Sequence, residues 1–323
     1  MAGISVVVPT YNRASLIGET LESILRQTRP ADEVIVVDDG STDNTSQVLA
    51  AYAGRVVVLR QPNSGDLVAR NHGLRVAQGN LVAFCDSDDL WLPEFLASME
   101  HLFQVEPGLS AAYGNFRLLQ DGQLTKTTKF DDAPGGFWDG LREISPEAGV
   151  FDTSAVTRAL IFQPFFVSAM VVKRDRFLEL GGWDEAVSRI IGCDFATALR
   201  VVNAPPVAVL RRPLVSIRKH AGNISGDSAR MNLGDARVLE HVLANRPELA
   251  HLRRQFESSI RTRRLNALDT SYGQMDFAQV KAIDRLISGR TKPLRLHAKT
   301  LIARLPLPLA RLVARALDPS RRR

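Results

Sequence analysis

Cysteine is scarce in this chain. Only Cys85 and Cys193 occur among 323 residues, far apart and in no Cys-x-x-Cys arrangement. That argues against a disulfide framework or a cysteine zinc site and fits a reducing compartment. Long apolar runs are also missing, since none approaches the ~20 residues of a membrane-spanning helix. The first residues, Met-Ala-Gly-Ile-Ser-Val-Val-Val-Pro, lack the basic stretch, apolar run and cleavage site of a secretory signal. A cytoplasmic protein is expected. The N-terminal region has no Gly-rich basic phosphate loop, which weighs against a nucleotidyltransferase. There are no internal repeats.

The formal net charge is +6, yet the body of the chain has no basic excess. Ten Lys/Arg and one acidic residue lie between Arg290 and Arg323, leaving 31 basic and 34 acidic residues elsewhere. Basicity confined to a tail argues against a nucleic-acid partner for the main domain.

What is present is an alternation of short β-branched runs and helical periods over the first hundred residues. Strands are expected at Ile4–Val8, Glu33–Val37, Arg55–Leu59 and Leu81–Cys85, with helices at Ser15–Arg26 and Leu67–Ala77. This order predicts an α/β fold with a mostly parallel sheet covered on both faces. Ligands of such sheets bind beyond the carboxyl ends of the strands, where Tyr11, Asp38, Asp39 and Asp86 fall. The middle, Tyr113 to about Phe151, is less regular and reads as edge strands over Arg117–Lys129 and then loop. Phe165–Lys173 and Pro213–Lys219 read as strands, Asp194–Val202 as a helix, and the chain from about Asp227 as helical.

Three segments carry candidate chemistry. Asp86-Ser87-Asp88-Asp89 places three carboxylates within four residues, and their repulsion calls for a counter-charge. A hard divalent cation, Mg²⁺ or Mn²⁺, would supply it and could bridge a diphosphate. The alternative is a solvated loop in which Asp89 caps a helix at Leu90–Pro93. In Asp38-Asp39-Gly40-Ser41-Thr42-Asp43 a strand-end carboxylate could accept from a base or ribose, or the segment could be only a turn. Arg70, within Ala69-Arg70-Asn71-His72-Gly73, could balance phosphate or be a surface arginine.

Together with Ser5-Val6-Val7-Val8-Pro9-Thr10-Tyr11-Asn12-Arg13, these segments resemble, in order and spacing, the signature of family 2 glycosyltransferases with the GT-A fold. The resemblance runs from about Ile4 to Ser225. It implies a GT-A domain over residues 1–225, a Rossmann-like nucleotide-diphospho-sugar transferase, followed by a helical extension over 226–323. It also implies a nucleotide-sugar donor, a UDP-sugar by preference. Tyr11 would pack on the base, with Pro9 and Thr10 contacting it through backbone. Asp39 would bind the base with support from Asp38, and Arg70 would meet the nucleotide. Asp86 would contact ribose or metal, and Asp88 would bind the metal.

The resemblance extends to an acceptor side. Gly181-Gly182-Trp183-Asp184-Glu185 is similar to the family's Gly-Gly-Phe-Asp-Glu turn, where Gly182, Trp183 and Asp184 would face the acceptor. Trp183 could stack on a sugar or pack in the core. Asp194 takes the place of the family's catalytic base, although the preceding acid is replaced by Cys193 and the following one by Ala196. Its alternative is a helix N-cap, and Glu185 is the fallback base. Arg218-Lys219-His220 is similar to the family's Arg-x-His, which would bring His220 to the metal or the diphosphate.

The implied activity is inverting transfer, a hexosyl or related transfer, to a glycan or lipid-linked acceptor in cell-surface polysaccharide synthesis. The missing acid at Cys193 motivates a second reading, a non-catalytic sugar-nucleotide or glycan-binding protein. In the tail, Leu309, Leu312, Val313, Ala316 and Leu317 follow helical spacing beside Arg311 and Arg315. Residues 290–323 could therefore lie on an anionic membrane at its inner face, in two pieces because of Pro306 and Pro308. They could equally pack on the catalytic domain or on a second subunit of an oligomer.

Overall fold

A computed structural model describes residues 3–220, 226–287 and 292–317. These divide into two units, one within Met1–Arg189 and Cys193–Gly222, the other within Ile190–Gly192 and Asn223–Arg323. The boundary expected at residue 225 lies outside the described residues. So do Arg290, Thr291 and residues 318–323 of the tail.

The first unit begins with the expected alternation. β1 (Ile4–Thr10) is buried along its whole length, as a β-branched run covered on both faces should be. α1 (Ile17–Leu25) buries Ile17, Leu21 and Ile24 against the sheet. β2 (Glu33–Asp38), α2 (Thr45–Ala50), β3 (Val57–Arg60), α3 (Asp66–Val76) and β4 (Leu81–Phe84) follow. β3, β2, β1 and β4 lie side by side and parallel, with Thr10 opposite Asp38 and Val7 opposite Phe84. α3 packs closely on this sheet at Gly73. A Cβ there would meet Val7 Cγ1 at 2.5 Å and Val37 Cγ2 at 3.2 Å.

Beyond β4 the sheet is mixed rather than mostly parallel. β5 (Leu90–Trp91), α4 (Phe95–Val105), β6 (Ala111–Gln120) and β7 (Gln123–Leu124) come next in the chain. β8 (Arg142–Ser145), β9 (Ala148–Phe151), α5 (Val156–Ile161), β10 (Met170–Lys173) and α6 (Arg174–Glu179) follow. α7 (Asp194–Val202) and β11 (Val207–Lys219) complete the unit. The strand order is β3-β2-β1-β4-β10-β6-β11-β9-β8. β10 runs antiparallel to both of its neighbours, and β6 and β11 form a long parallel pair.

Three expectations change here. Of the edge strands expected over Arg117–Lys129, the first belongs to β6, which starts at Ala111 and is interior, and the second is β7, paired with β6 off the main strand order. The strand expected over Phe165–Lys173 shortens to β10, because Val167–Ala169 forms a 3-10 turn. The last strand starts six residues before Pro213. It tolerates that proline because the register against β6 shifts on both sides of it, where no ladder N–H is required.

The second unit is helical among its described residues: α8 (Ser228–Asn245), α9 (Arg253–Gly273), α10 (Phe277–Leu286), α11 (Leu294–Ala303) and α12 (Leu307–Ala316). Its own core joins Ala267, Leu268, Phe277, Val280 and Ile283 to Leu296, Ala303, Ala310 and Ala314. Pro306 caps α12 and Pro308 sits in its first turn, so the prolines separate two short helices as expected. Within α12 the inward face is Ala310 and Ala314, while Leu309 and Leu312 of the apolar stripe point outward. Among the described residues no helix is long and apolar enough to cross a membrane.

Candidate functional site

The carboxyl ends of β1, β2 and β4 bring together three of the four motifs, those at Tyr11, at Asp38–Asp39 and at Asp86–Asp89. Tyr11 follows β1 and is 43% exposed, so its ring is open to a ligand. Pro9 and Thr10 are buried at the end of β1, and the Thr10 hydroxyl has no hydrogen-bond partner there. Asn12 clamps the neighbouring loop: its backbone N–H donates to Ser41 Oγ (2.9 Å) and its Oδ1 accepts from the Thr42 N–H (2.8 Å).

Asp38 and Asp39 are both buried and both engaged. Asp38 accepts from the Ser41 N–H (2.9 Å) and from Arg60 Nε (3.1 Å). Asp39 Oδ1 accepts from Gln61 Nε2 (2.7 Å) and the Ser64 N–H (2.9 Å), and Oδ2 accepts from the Gly65 N–H (2.8 Å). A carboxylate oxygen can accept twice, so Oδ2 keeps capacity for a base. Asp39 thus also fixes the loop that leads into α3.

The three acids after β4 have separate partners. Asp86 Oδ1 accepts from the Arg70 guanidinium (2.5 Å). Asp88 Oδ2 lies 3.3 Å from Arg13 Nε and 3.0 Å from His220 Nε2. Asp89 is buried and accepts from the Ser168 hydroxyl and the Arg218 N–H. Burial pushes Asp86 above the usual carboxylate range, Arg70 pulls it back, and the charges of Asp88 and Asp66 add to the rise. Burial, with the charges of Asp86 and Asp88, pushes Asp89 well above that range. Asp89 is not the helix cap considered above. Leu90–Trp91 is a strand paired with β11, and Glu94 precedes α4, so Asp89 instead ties the motif to β10's approach and to β11.

This donor set fits a divalent cation that takes few protein ligands. Asp86 and Asp88 offer carboxylate oxygens, and His220 offers an imidazole nitrogen on the same carboxylate. Among the described residues no group of three or more His, Cys, Asp or Glu side chains is placed to hold a metal ion, so the protein would supply at most two of the ligands. Such a cation would complete its shell from water and a bound diphosphate.

Arg70 sits behind this cluster. Its side chain is buried, stacks on the Trp183 ring (5.1 Å to the centroid) and bonds Asp66 (2.8 Å) as well as Asp86. Asp66 in turn lies 3.6 Å from the Cys193 thiol. An unbroken chain of contacts therefore runs from Asp86 to the residue preceding Asp194. Burial and the charges of Asp66 and Asp194 push the Cys193 thiol up, so it stays protonated and can donate.

Asp194 is the first residue of α7 and half-buried, with Cys193 in the cap position. Burial and the Asp194 charge raise the phenol of Tyr113, whose buried hydroxyl has no hydrogen-bond partner. The turn before α7 is locked from both sides. Asn71 Nδ2 donates to the Trp183 carbonyl (2.9 Å) and to Glu185 (2.7 Å), and its Oδ1 accepts from the Trp183 N–H (2.9 Å). Arg200 of α7 donates to the Gly182 carbonyl (2.9 Å) and to Asp184 (3.4 Å). Gly182 has φ +60°, and a Cβ there would lie 2.8 Å from Asn71 Oδ1.

Trp183 itself is 2% exposed and packs against Phe84 and Phe177. Its faces are taken, so it does not offer a ring to a sugar. The Asp184 carboxylate is likewise mostly buried against Arg200. Sequence reasoning gave no role to Arg13, Asp66, Asn71 or Ser168. Asp66 carried a signal, its i,i+4 spacing to Arg70 on one helix.

Residues 5–131 match the model of the family described as glycosyl transferase family 2. This segment is similar to that family. A Bacillus subtilis glycosyltransferase named for teichuronic acid biosynthesis is 41% identical over 136 residues, 41% of this chain and 53% of the relative. A UDP-Glc:alpha-D-GlcNAc-diphosphoundecaprenol beta-1,3-glucosyltransferase of Escherichia coli is 33% identical over 38% of this chain and 48% of its own length. The chain thus spans about half the length of these relatives. Among solved structures, S. aureus TarS 1–349 in complex with UDP-GlcNAc covers 97% of this chain and 91% of its own, with TM-score 0.59 and 20% identity. A Pyrobaculum calidifontis mannosyltransferase in complex with GDP-Man and Mn²⁺ covers 96% and 86%, with TM-score 0.56 and 22% identity. The GT-A fold is therefore shared by this chain, and the matched residues 5–131 include the segments gathered at the ends of β1, β2 and β4.

Proposed function

We propose that the chain is an inverting glycosyltransferase that moves a sugar from a nucleoside diphosphate donor, a UDP-sugar, to a hydroxyl of a glycan or lipid-linked acceptor. One observation carries the reading: the chain of contacts Asp86–Arg70–Asp66–Cys193, which joins the donor motifs to the start of α7 and its Asp194. The relatives' names supply the substrate classes, a UDP-sugar donor and a diphosphoundecaprenol-linked acceptor.

In this reading the base packs on the exposed Tyr11 ring, near Pro9 and Thr10. Asp39 accepts from the base at Oδ2, while Asp38 holds the loop that carries Ser41. A divalent cation, Mg²⁺ or Mn²⁺, would be held by two of Asp86, Asp88 and His220 and would offset negative charge on the leaving diphosphate. Arg70 faces the nucleotide side through Asp86. It holds Asp86 in position and neutralises part of the acidic cluster.

Asp194 accepts the proton of the acceptor hydroxyl as its oxygen forms the bond to the anomeric carbon and the nucleoside diphosphate leaves. The attack comes from the face opposite the leaving group, so an α-linked donor gives a β-linked product. Cys193, uncharged beside Asp194, leaves that carboxylate without the repulsion of a second acid.

A panel of nucleotide sugars, assayed for hydrolysis and transfer by the purified chain, tests the proposal. Turnover of one donor with inversion supports it. Tight donor binding without turnover, with every acceptor class supplied, favours the non-catalytic binder.

A further inference from the structure

The outward face of α12 has no partner among the described residues. Its inward face is Ala310 and Ala314, small residues that let the helix lie close to its unit. On the outer face Leu309 and Leu312 are exposed, Leu312 by 66%, and Ala316 continues their strip at helical spacing. Arg311 and Arg315 are exposed along one edge of that strip and have no ion-pair partner among the described residues. α11 adds Leu301 and the 89%-exposed Leu294.

Charge decides what this face fits. From Lys292 to Leu317 the sequence contains six Lys/Arg and no Asp or Glu. Four of the six are paired within the unit: Lys292 and Arg304 with Asp284, Arg295 and Lys299 with Asp269. Arg311 and Arg315 remain for an external partner. A second copy docked about a two-fold axis would set this acid-free strip against itself, bringing arginine against arginine. An anionic lipid surface offers both what the leucines need, an apolar interior, and what the arginines need, a sheet of negative head groups.

We propose that the outer face of α12 is a peripheral docking surface for anionic membrane lipid, with Leu309 and Leu312 entering the acyl boundary and Arg311 and Arg315 at the head groups. The proposal does not rest on the transfer reading, and its test needs no turnover.

The intact chain is sedimented with phosphatidylcholine vesicles and with vesicles rich in phosphatidylglycerol. The wild type should pellet with the anionic vesicles and stay in solution with the neutral ones. Arg311→Glu with Arg315→Glu should weaken anionic partitioning at least about 25-fold, at roughly fivefold per cation lost. Leu309→Ser with Leu312→Ser should also release the protein, with an unchanged thermal melt because both side chains are exposed. Equal pelleting of wild type and both variants would overturn the proposal. So would a dimer in light scattering that the leucine variant abolishes while vesicle binding stays absent.

Discussion

Asn71 holds Trp183 by both of its backbone polar groups, donating to the carbonyl and accepting from the N–H at 2.9 Å each. The two residues are 112 positions apart. One side chain of the donor-side helix thus fixes the turn that precedes α7, and Gly182 leaves it room.

Removing that side chain should loosen the turn. Asn71→Ala leaves the buried Trp183 N–H and C=O without partners and should cost about 1–3 kcal/mol. Gly182→Ala should cost about 1–2 kcal/mol through its left-handed φ, with a further cost from crowding Asn71. Denaturant unfolding of each variant checks both values, and a change under 0.5 kcal/mol in Asn71→Ala would mean that other bonds hold the turn.

Asp194→Asn should lower turnover about 10²–10⁴-fold while leaving donor affinity within a factor of two. Steady-state kinetics with a donor titration separates the two quantities. If turnover stays near normal, Glu185 becomes the base to test next.

Some of this was legible in the sequence and some was not. The motifs at the ends of β1, β2 and β4 could be read because β-branched runs mark buried parallel strands and ligands gather at their ends. β11 was read too short because Pro213 looks like a strand start, and only the register shifts show how the ladder passes it. Trp183 was assigned to the acceptor because its turn is recognisable. Which way an indole points depends on Phe84 and Phe177, which come from elsewhere in the chain. For Arg70 the sequence offers a cation near a helix, and burial between two carboxylates is a tertiary fact. The tail stripe is visible in the sequence, but packing buries Ala310 and Ala314, which lie outside it, and leaves its leucines exposed.

The helical unit should show its own pH dependence. Asp235 is paired with Arg263, yet burial outweighs that partner and pushes the carboxyl up to about 6. A carboxyl raised above its unfolded value binds its proton more tightly in the folded state. Its contribution is therefore fully present below about pH 3.9 and lost as the pH rises through about 6. Compared with Asp235→Asn, the wild type should lose up to about 3 kcal/mol across that window. Urea unfolding of both proteins between those pH values measures it, and parallel curves would show an ordinary pKa.

The central claim is that Asp88 anchors a metal-assisted donor site, and calorimetric titration of UDP tests it most directly. The wild type should bind UDP at least about tenfold more tightly in Mn²⁺ than in excess chelator. Asp88→Asn should bind with the same weak affinity in both. Equal affinity in Mn²⁺ and in chelator for the wild type, matched by Asp88→Asn, would contradict the account.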